Sequence, residues 1–364
     1  MTFSPERRFD SPTRDPHAAS PVTDARDPIV VLVHRLSSRT AVGYAAPVSS
    51  STARRHLALL IPLLACGCWT APRALVRVNS NDPGTWIDGF SSCIPEQEGP
   101  VQLDPTRPVT VLVHGCMFSR GGFSNLAQVF EARGQQTLCF NYDDRERLET
   151  SSTQLIAALE ALQGLFTGRE ITVVGHSQGG LVSRRALVAD RERPVTIRPD
   201  VHIRLVTVSS PFGGIRSSSH CGLTWLHAVT LGVTVGVCQA IAGAKWQEIY
   251  PGSEFMVRPG KLVAAVTTHV KVVTDERDSC RRYGAKGLCA ESDYVFAQEE
   301  QYGAAVDGDG RVSNIEVRAG HIEIVGERGT PPMKLLDILQ AQQILAEAPP
   351  GGGADIAALL ERLY

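Results

Sequence analysis

A serine hydroxyl is a poor nucleophile until a base removes its proton and preorganised donors receive the charge that develops on the attacked carbonyl. The pentapeptide Gly175-His176-Ser177-Gln178-Gly179 offers a serine in a setting suited to that chemistry. The β-branched run Ile171-Thr172-Val173-Val174 precedes it directly and a helical pattern follows over 181–189. The serine therefore falls on a sharp strand-to-helix turn, where side chains in place of Gly175 and Gly179 would collide with neighbouring backbone. Held out on that turn, with a helix N-terminus beneath it to favour negative charge, Ser177 is the expected nucleophile. The backbone N–H of Gln178, the next residue, is one expected donor to the developing oxyanion. A base must come from elsewhere, and His202, His220, His227, His269 and His321 are the histidines that follow Ser177. His202 and His269 fall at strand starts, His220 and His227 in an apolar segment, and His321 in a loop after the last strand-like run. Carboxylates able to orient such a base are Asp275 and Asp278, just after the strand-like run Val270-Lys271-Val272-Val273, and Asp293 further on.

Positioning these groups calls for a sheet whose strands all end on one side. The run Val109-Thr110-Val111-Leu112-Val113 reads as a strand buried on both faces, ending at His114-Gly115. Helical patterns are expected over 123–133, 151–166, 181–189 and 332–345, and strands over 136–142, 170–174, 201–208, 270–273 and 315–317. Strand and helix alternate, so the expected class is α/β, a mostly parallel sheet flanked by helices. The alternation breaks between about 215 and 258, where Trp225, Leu226, Val229, Leu231, Val233, Val235, Val237 and Ile241 form an apolar insertion, expected as a helical, lid-like cover.

The turn around Ser177, together with Val113-His114-Gly115 and Ser209-Ser210-Pro211-Phe212-Gly213-Gly214, resembles the α/β-hydrolase family, in particular its lipase and esterase branch, over about 108–325. The resemblance implies a chain order of serine, acid, histidine. It favours His321 as the base, since Gly320-His321 looks like the family's catalytic pair. It favours Asp293 as the acid, since Asp293-Tyr294-Val295-Phe296 matches an acid followed by an apolar pair, with Asp275 and Asp278 as alternatives. It also implies that the second oxyanion donor is the backbone N–H of Cys116, with Met117 as its neighbour. The expected activity is hydrolysis of a carboxylic ester with an apolar acyl group through an acyl-enzyme, with no cofactor and no metal. Rivals on the same triad are acyl transfer, phospholipase or thioesterase activity. A rival of another kind is an inactive hydrolase-like binding module at the cell surface.

Composition narrows the setting. The 364 residues are 43% hydrophobic and 20% charged, enough apolar material for one sizeable core, and a formal net charge of −2 offers no broad attraction to nucleic acid. Nine cysteines fit an oxidising compartment. Cys221 with Cys238, bracketing part of the insertion, and Cys280 with Cys289, flanking the segment between the acid candidates, are the expected bridges. Ala53-Arg54-Arg55-His56, followed by an apolar run to Cys66, has the build of a signal peptide, and Leu63-Leu64-Ala65-Cys66 resembles a bacterial lipobox whose cysteine receives lipid. The expectation is export to a bacterial cell envelope, with a lipid anchor at a membrane. The expected organisation is a disordered extension or mis-assigned start over 1–47, a signal peptide over 48–65, and an N-terminal mature segment over 66–107. The hydrolase domain then spans 108–348, and 349–364 is a linker and short tail. Asp307-Gly308-Asp309-Gly310 hints at a calcium loop, but Arg311 breaks the ligand spacing and a turn is expected.

Overall fold

The computed structural model describes residues 72–364 except 80, 95–98, 117–122, 166–169, 191, 193, 223–229, 231–237, 239–242 and 348–352. The leader with Cys66 and most of the apolar insertion lie outside the described residues.

The α/β expectation holds. Strands β1 (Arg73–Arg77), β2 (Thr85–Asp88) and β4 (Val101–Gln102) form a small three-stranded sheet, while β3 (Phe90–Ser91) joins the main one. The main sheet also contains β5 (Val109–Val113), β6 (Gln136–Phe140), β7 (Glu170–His176), β8 (His202–Val208), β9 (Val266–Asp275) and β12 (Val312–Arg318). Its order is β12-β9-β8-β7-β5-β6-β3, parallel throughout except for β3 against β6. Helices α1 (Ser124–Ala132), α2 (Leu148–Gln163), α3 (Gln178–Ala186), α4 (Met333–Ala341) and α5 (Gly353–Leu363) surround it.

All five residues of β5 are buried, as a strand covered on both faces requires. Its side chains alternate between two cores. Val109, Val111 and Val113 join Leu155, Leu159, Leu181 and Val182 on one face, and Leu112 joins Leu126, Phe130, Val174 and Leu335 on the other. Because β12 pairs with β9 in parallel register, Arg318 opposite Asp275, the loops that follow the two strands leave the sheet side by side.

Several features went unread in the sequence. The strands of 73–102 are among them, with a Cys93–Cys139 disulfide joining the end of β3 to β6. The segment taken as a tail is helix α5, whose Ile356 and Leu360 are buried in the second core and whose Leu363 carbonyl accepts from Asn125 Nδ2 at 2.6 Å. The expected Cys280–Cys289 disulfide is present and closes an exposed hairpin of β10 (Cys280–Tyr283) and β11 (Cys289–Ser292). Cys238 is disulfide-bonded, and the side chain of Cys221 lies outside the described residues. The Asp307–Gly310 segment is a turn: Asp307 bonds Lys271 Nζ and Asp309 pairs with Arg311 at 2.6 Å. Of the insertion, the described parts are 3₁₀ turns at Arg216–Gly222 and Ala244–Gln247 and a short helix at Glu254–Val257. Among the described residues, no helix is long and apolar enough to cross a membrane and no cluster of metal-ligating side chains occurs.

Candidate active site

Ser177 sits between β7 and α3 with φ 54° and ψ −123°, a left-handed conformation that costs a non-glycine residue about 1–3 kcal/mol. Packing enforces it. A Cβ on Gly179 would lie 2.2 Å from the Val113 carbonyl oxygen and 2.4 Å from that of His114, and one on Gly175 would lie 2.5 Å from the Gly179 oxygen. The two glycines thus let the start of α3 press against the end of β5, which brings Gln178 beside the loop that carries Cys116. That loop is held by Tyr142, whose hydroxyl donates to the His114 carbonyl at 2.7 Å and whose ring stacks on the His114 imidazole at 4.5 Å. The backbone N–H groups of Gln178 and Cys116 make no hydrogen bond among the described residues, and neither does Ser177 Oγ. Ser177 keeps 8% exposure. Met117 lies outside the described residues.

His321, buried in the loop after β12, is oriented from several sides. Its Nδ1–H donates to Glu276 Oε1 at 2.8 Å. The Phe296 ring meets it edge-on at 4.9 Å and the His176 ring lies 4.8 Å away, with His176 Nε2 donating to the His321 carbonyl at 2.9 Å. Burial, then the charge of His321, holds His176 well below the usual histidine range, so it acts as a neutral donor.

The carboxylate on the His321 ring is therefore Glu276, and none of the three aspartates weighed from the sequence reaches it. Asp275 faces outward and pairs with Arg277 at 2.6 Å, and Asp278 is exposed and pairs with Arg318 at 3.4 Å. Asp293 binds the backbone of the histidine loop instead, accepting from Ile322 N at 3.0 Å and Glu323 N at 2.9 Å, while its own carbonyl accepts from His321 N at 2.9 Å. The reason is the alternation of a strand end: Thr274 and Glu276 turn inward and Asp275 outward. The sequence carries that pattern in Thr274-Asp275-Glu276 at the end of the strand-like run, where alternation turns the glutamate inward and the aspartate outward.

Glu276 is 1% exposed and well satisfied. Oε1 also accepts from the Ser209 hydroxyl at 2.7 Å, and Oε2 from Val295 N at 2.7 Å and Phe296 N at 3.3 Å. Burial pushes its carboxyl up, but the bonds from His321, Val295 and Ser209 outweigh burial and hold it below the ordinary glutamate value. Asp293 goes the other way, with burial raising it against the bonds from Glu323 and Ile322. The motif Asp293-Tyr294-Val295-Phe296 thus brackets both partners: its carboxylate holds the histidine loop and its N–H groups hold the acid.

Ser209 is a second serine at this site, also left-handed at φ 46°, with Oγ 3.0 Å from His321 Nδ1. It is fully buried and lies on the acid's side of the imidazole, so it buttresses Glu276 and leaves the opposite ring nitrogen for a nucleophile. Thr274 completes this buttress with a hydroxyl donated to Ser209 Oγ at 2.7 Å. Around a tetrahedral carbon the arrangement therefore offers a strained serine, a histidine oriented by a buried carboxylate, and two N–H donors with no partner among the described residues.

The family model described as "Putative serine esterase (DUF676)" matches residues 148–240, about a quarter of the chain. Among solved structures, a lipase from Bacillus licheniformis, BlEst2 in mature form, is similar at 16% identity with a TM-score of 0.45, over 66% of this chain and 93% of that one. A protein of Lactobacillus plantarum described as a "putative cell surface hydrolase" is similar at 14% identity with a TM-score of 0.38, over 70% of this chain and 97% of that one. Lipase B of Aspergillus fumigatus is similar at 14% identity with a TM-score of 0.42, over 76% of this chain and 60% of that one. No curated protein sequence matches the chain. The sheet order, with the serine turn after β7, the acid after β9 and the histidine after β12, is that of the α/β-hydrolase fold.

Proposed function

We propose that this protein hydrolyses carboxylic esters through Ser177, His321 and Glu276. In this reading His321 Nε2 takes the proton of Ser177 Oγ as the oxygen attacks the ester carbonyl. The N–H groups of Gln178 and Cys116 receive the oxyanion, and the imidazolium returns the proton to the departing alcohol. Water, activated by the same imidazole, then adds to the acyl-enzyme and releases the acid. The observation that carries it is the His321–Glu276 hydrogen bond at 2.8 Å, in a chain whose Ser177 is held left-handed on the turn after β7.

A fluorophosphonate probe tests the assignment: wild type labels and Ser177→Ala does not. Equal labelling of Ser177→Ala and wild type would refute it, whereas loss of labelling in Ser209→Ala alone would move the nucleophile to Ser209. An apolar acyl group is the favoured substrate because the insertion after Phe212 is rich in apolar residues, and a chain-length series of p-nitrophenyl esters reads this directly.

The lipobox-like Leu63-Leu64-Ala65-Cys66 supports export to a bacterial cell envelope and anchoring by lipid on Cys66. The bridges Cys93–Cys139 and Cys280–Cys289 suit an oxidising compartment. Metabolic labelling with a fatty-acid analogue, lost in Cys66→Ala, is the result expected, and labelling that persists in Cys66→Ala refutes the anchor.

A further inference from the structure

Lys245 is a buried cation in an unusual place. It lies on the 3₁₀ turn Ala244–Gln247, in the later part of the apolar insertion, and it is 4% exposed. Its ammonium bonds Gln178 Oε1 at 2.6 Å, Cys116 Sγ at 2.9 Å and the Asp144 carbonyl at 2.5 Å. Gln178 and Cys116 are the two residues whose backbone N–H groups would receive the oxyanion. One ammonium thus holds the side chains of both, and Gln178 is gripped from its other end as Nε2 donates to the same Asp144 carbonyl at 3.0 Å.

The backbone around Lys245 is fixed to suit. Ala244 N donates to the Arg145 carbonyl at 2.6 Å, and Glu248 accepts from Leu148 N at 2.5 Å and Arg147 Nε at 3.1 Å. Gly243 has φ 75°, and a Cβ there would lie 2.3 Å from the Arg145 carbonyl oxygen, so the approach is as close as backbone allows. Among the described residues no carboxylate lies within ion-pair distance of the ammonium, whose acceptors are a thiol, an amide and a carbonyl. A buried charge held by dipoles is screened less than one in water, so it is felt by the groups packed around it.

We propose that Lys245 is a positioning residue for the oxyanion site, clamping Gln178 and Cys116 and placing a fixed positive charge behind the two donors. Its effect then falls on the anionic tetrahedral state and little on the neutral ester, because a preorganised charge rewards charge that develops. The proposal rests on the serine hydrolase reading above, and its test separates the two.

The decisive comparison is Lys245→Met, which keeps the length of the side chain and removes the charge, against Lys245→Arg, which keeps the charge. Each is read by kcat and KM on a p-nitrophenyl ester, by Ki for a boronic acid that becomes an anionic tetrahedral adduct on the serine, and by thermal melting. Removing one oxyanion donor outright costs on the order of 10²–10³-fold in kcat. Loosening two and withdrawing a charge should therefore lower kcat and raise the boronate Ki by about 10- to 100-fold in Lys245→Met, with KM within about threefold. Lys245→Arg should lie closer to wild type on both. A folded Lys245→Met that keeps kcat and boronate Ki within twofold of wild type overturns the proposal. So does a fall in kcat with the boronate Ki unmoved. If Lys245→Met is insoluble, Lys245→Gln decides by the same two numbers. Failure of the wild type to label with fluorophosphonate would strike the underlying hydrolase reading instead.

Discussion

Glu276→Gln and Asp293→Asn separate two carboxylates that both touch the histidine loop. Glu276 Oε1 lies 2.8 Å from the His321 ring nitrogen, and an amide there either presents N–H against N–H or forces the imidazole into the wrong tautomer. Amidating a triad acid without disturbing its geometry costs on the order of 10⁴-fold in kcat in the serine protease case. Glu276 makes the same contact to Nδ1, so a loss of about 10²–10⁴-fold is expected, equivalent to about 3–5 kcal/mol of barrier. Asp293 touches no ring atom. An asparagine in its place keeps one oxygen for the Ile322 or Glu323 N–H, and the cost should fall on stability, about 1–3 kcal/mol, with kcat reduced less than about tenfold. Steady-state hydrolysis of a short p-nitrophenyl ester, with urea unfolding of each variant, reads both quantities. A folded Glu276→Gln that keeps more than a tenth of wild-type kcat, beside an Asp293→Asn that loses a thousandfold, would return the acid to Asp293 and refute the reasoning.

Three further outcomes are expected. Because Glu276 is held below its unfolded value of 4.5, its ionised form stabilises the fold fully above about pH 4.5, and that contribution is lost as pH falls through the lower folded value. The stability gap between wild type and Glu276→Gln should therefore stay level from pH 8 to 5 and shrink below it, and a gap that grows on acidification would contradict the sign. A Cβ on Gly320 would sit 2.0 Å from Asp293 Oδ2, so Gly320→Ala should displace the histidine loop and lower kcat by about tenfold or more; near-normal kinetics would show that the loop yields. Cys116 is a free, exposed thiol whose backbone N–H is a proposed oxyanion donor, so alkylation by N-ethylmaleimide should inactivate wild type. The Cys116→Ser variant should resist, and inactivation of both at one rate would place the damage elsewhere.

What the sequence made legible was local. The turn at Ser177 is announced by two glycines within one strand-to-helix unit, and its geometry follows from contacts a few residues away. His321 could be picked out because one histidine follows the last strand. The acid depends on which side of β9 each residue faces and on the hydroxyl of Ser209, sixty-seven residues away from Glu276 in the chain. A resemblance that prizes aspartate pointed to Asp293, which supports the site without being the ring's partner. Helix α5 was hidden behind its glycine-rich start, although Ile356, Leu359, Leu360 and Leu363 carry the spacing of an amphipathic helix. Cys93 and Cys139 meet only through the antiparallel pairing of β3 with β6, which neither flank announces. Lys245 gave no sign at all, being one cation at the margin of an apolar stretch.

The hairpin of β10 and β11 has a practical use that follows from how it is built. The Cys280–Cys289 bond ties the start of β10, at the hairpin's base, to the start of β11, and at its tip a Cβ on Gly287 would meet nothing within 4 Å. Glu276 leaves the sheet before the hairpin begins and makes its bond to His321 without any residue of the tip. A peptide tag or surface tether inserted between Lys286 and Gly287 would thus be carried on a covalently closed arm pointing into solvent. Immobilised by that arm, the enzyme would keep its triad and present one fixed orientation to the surrounding solution.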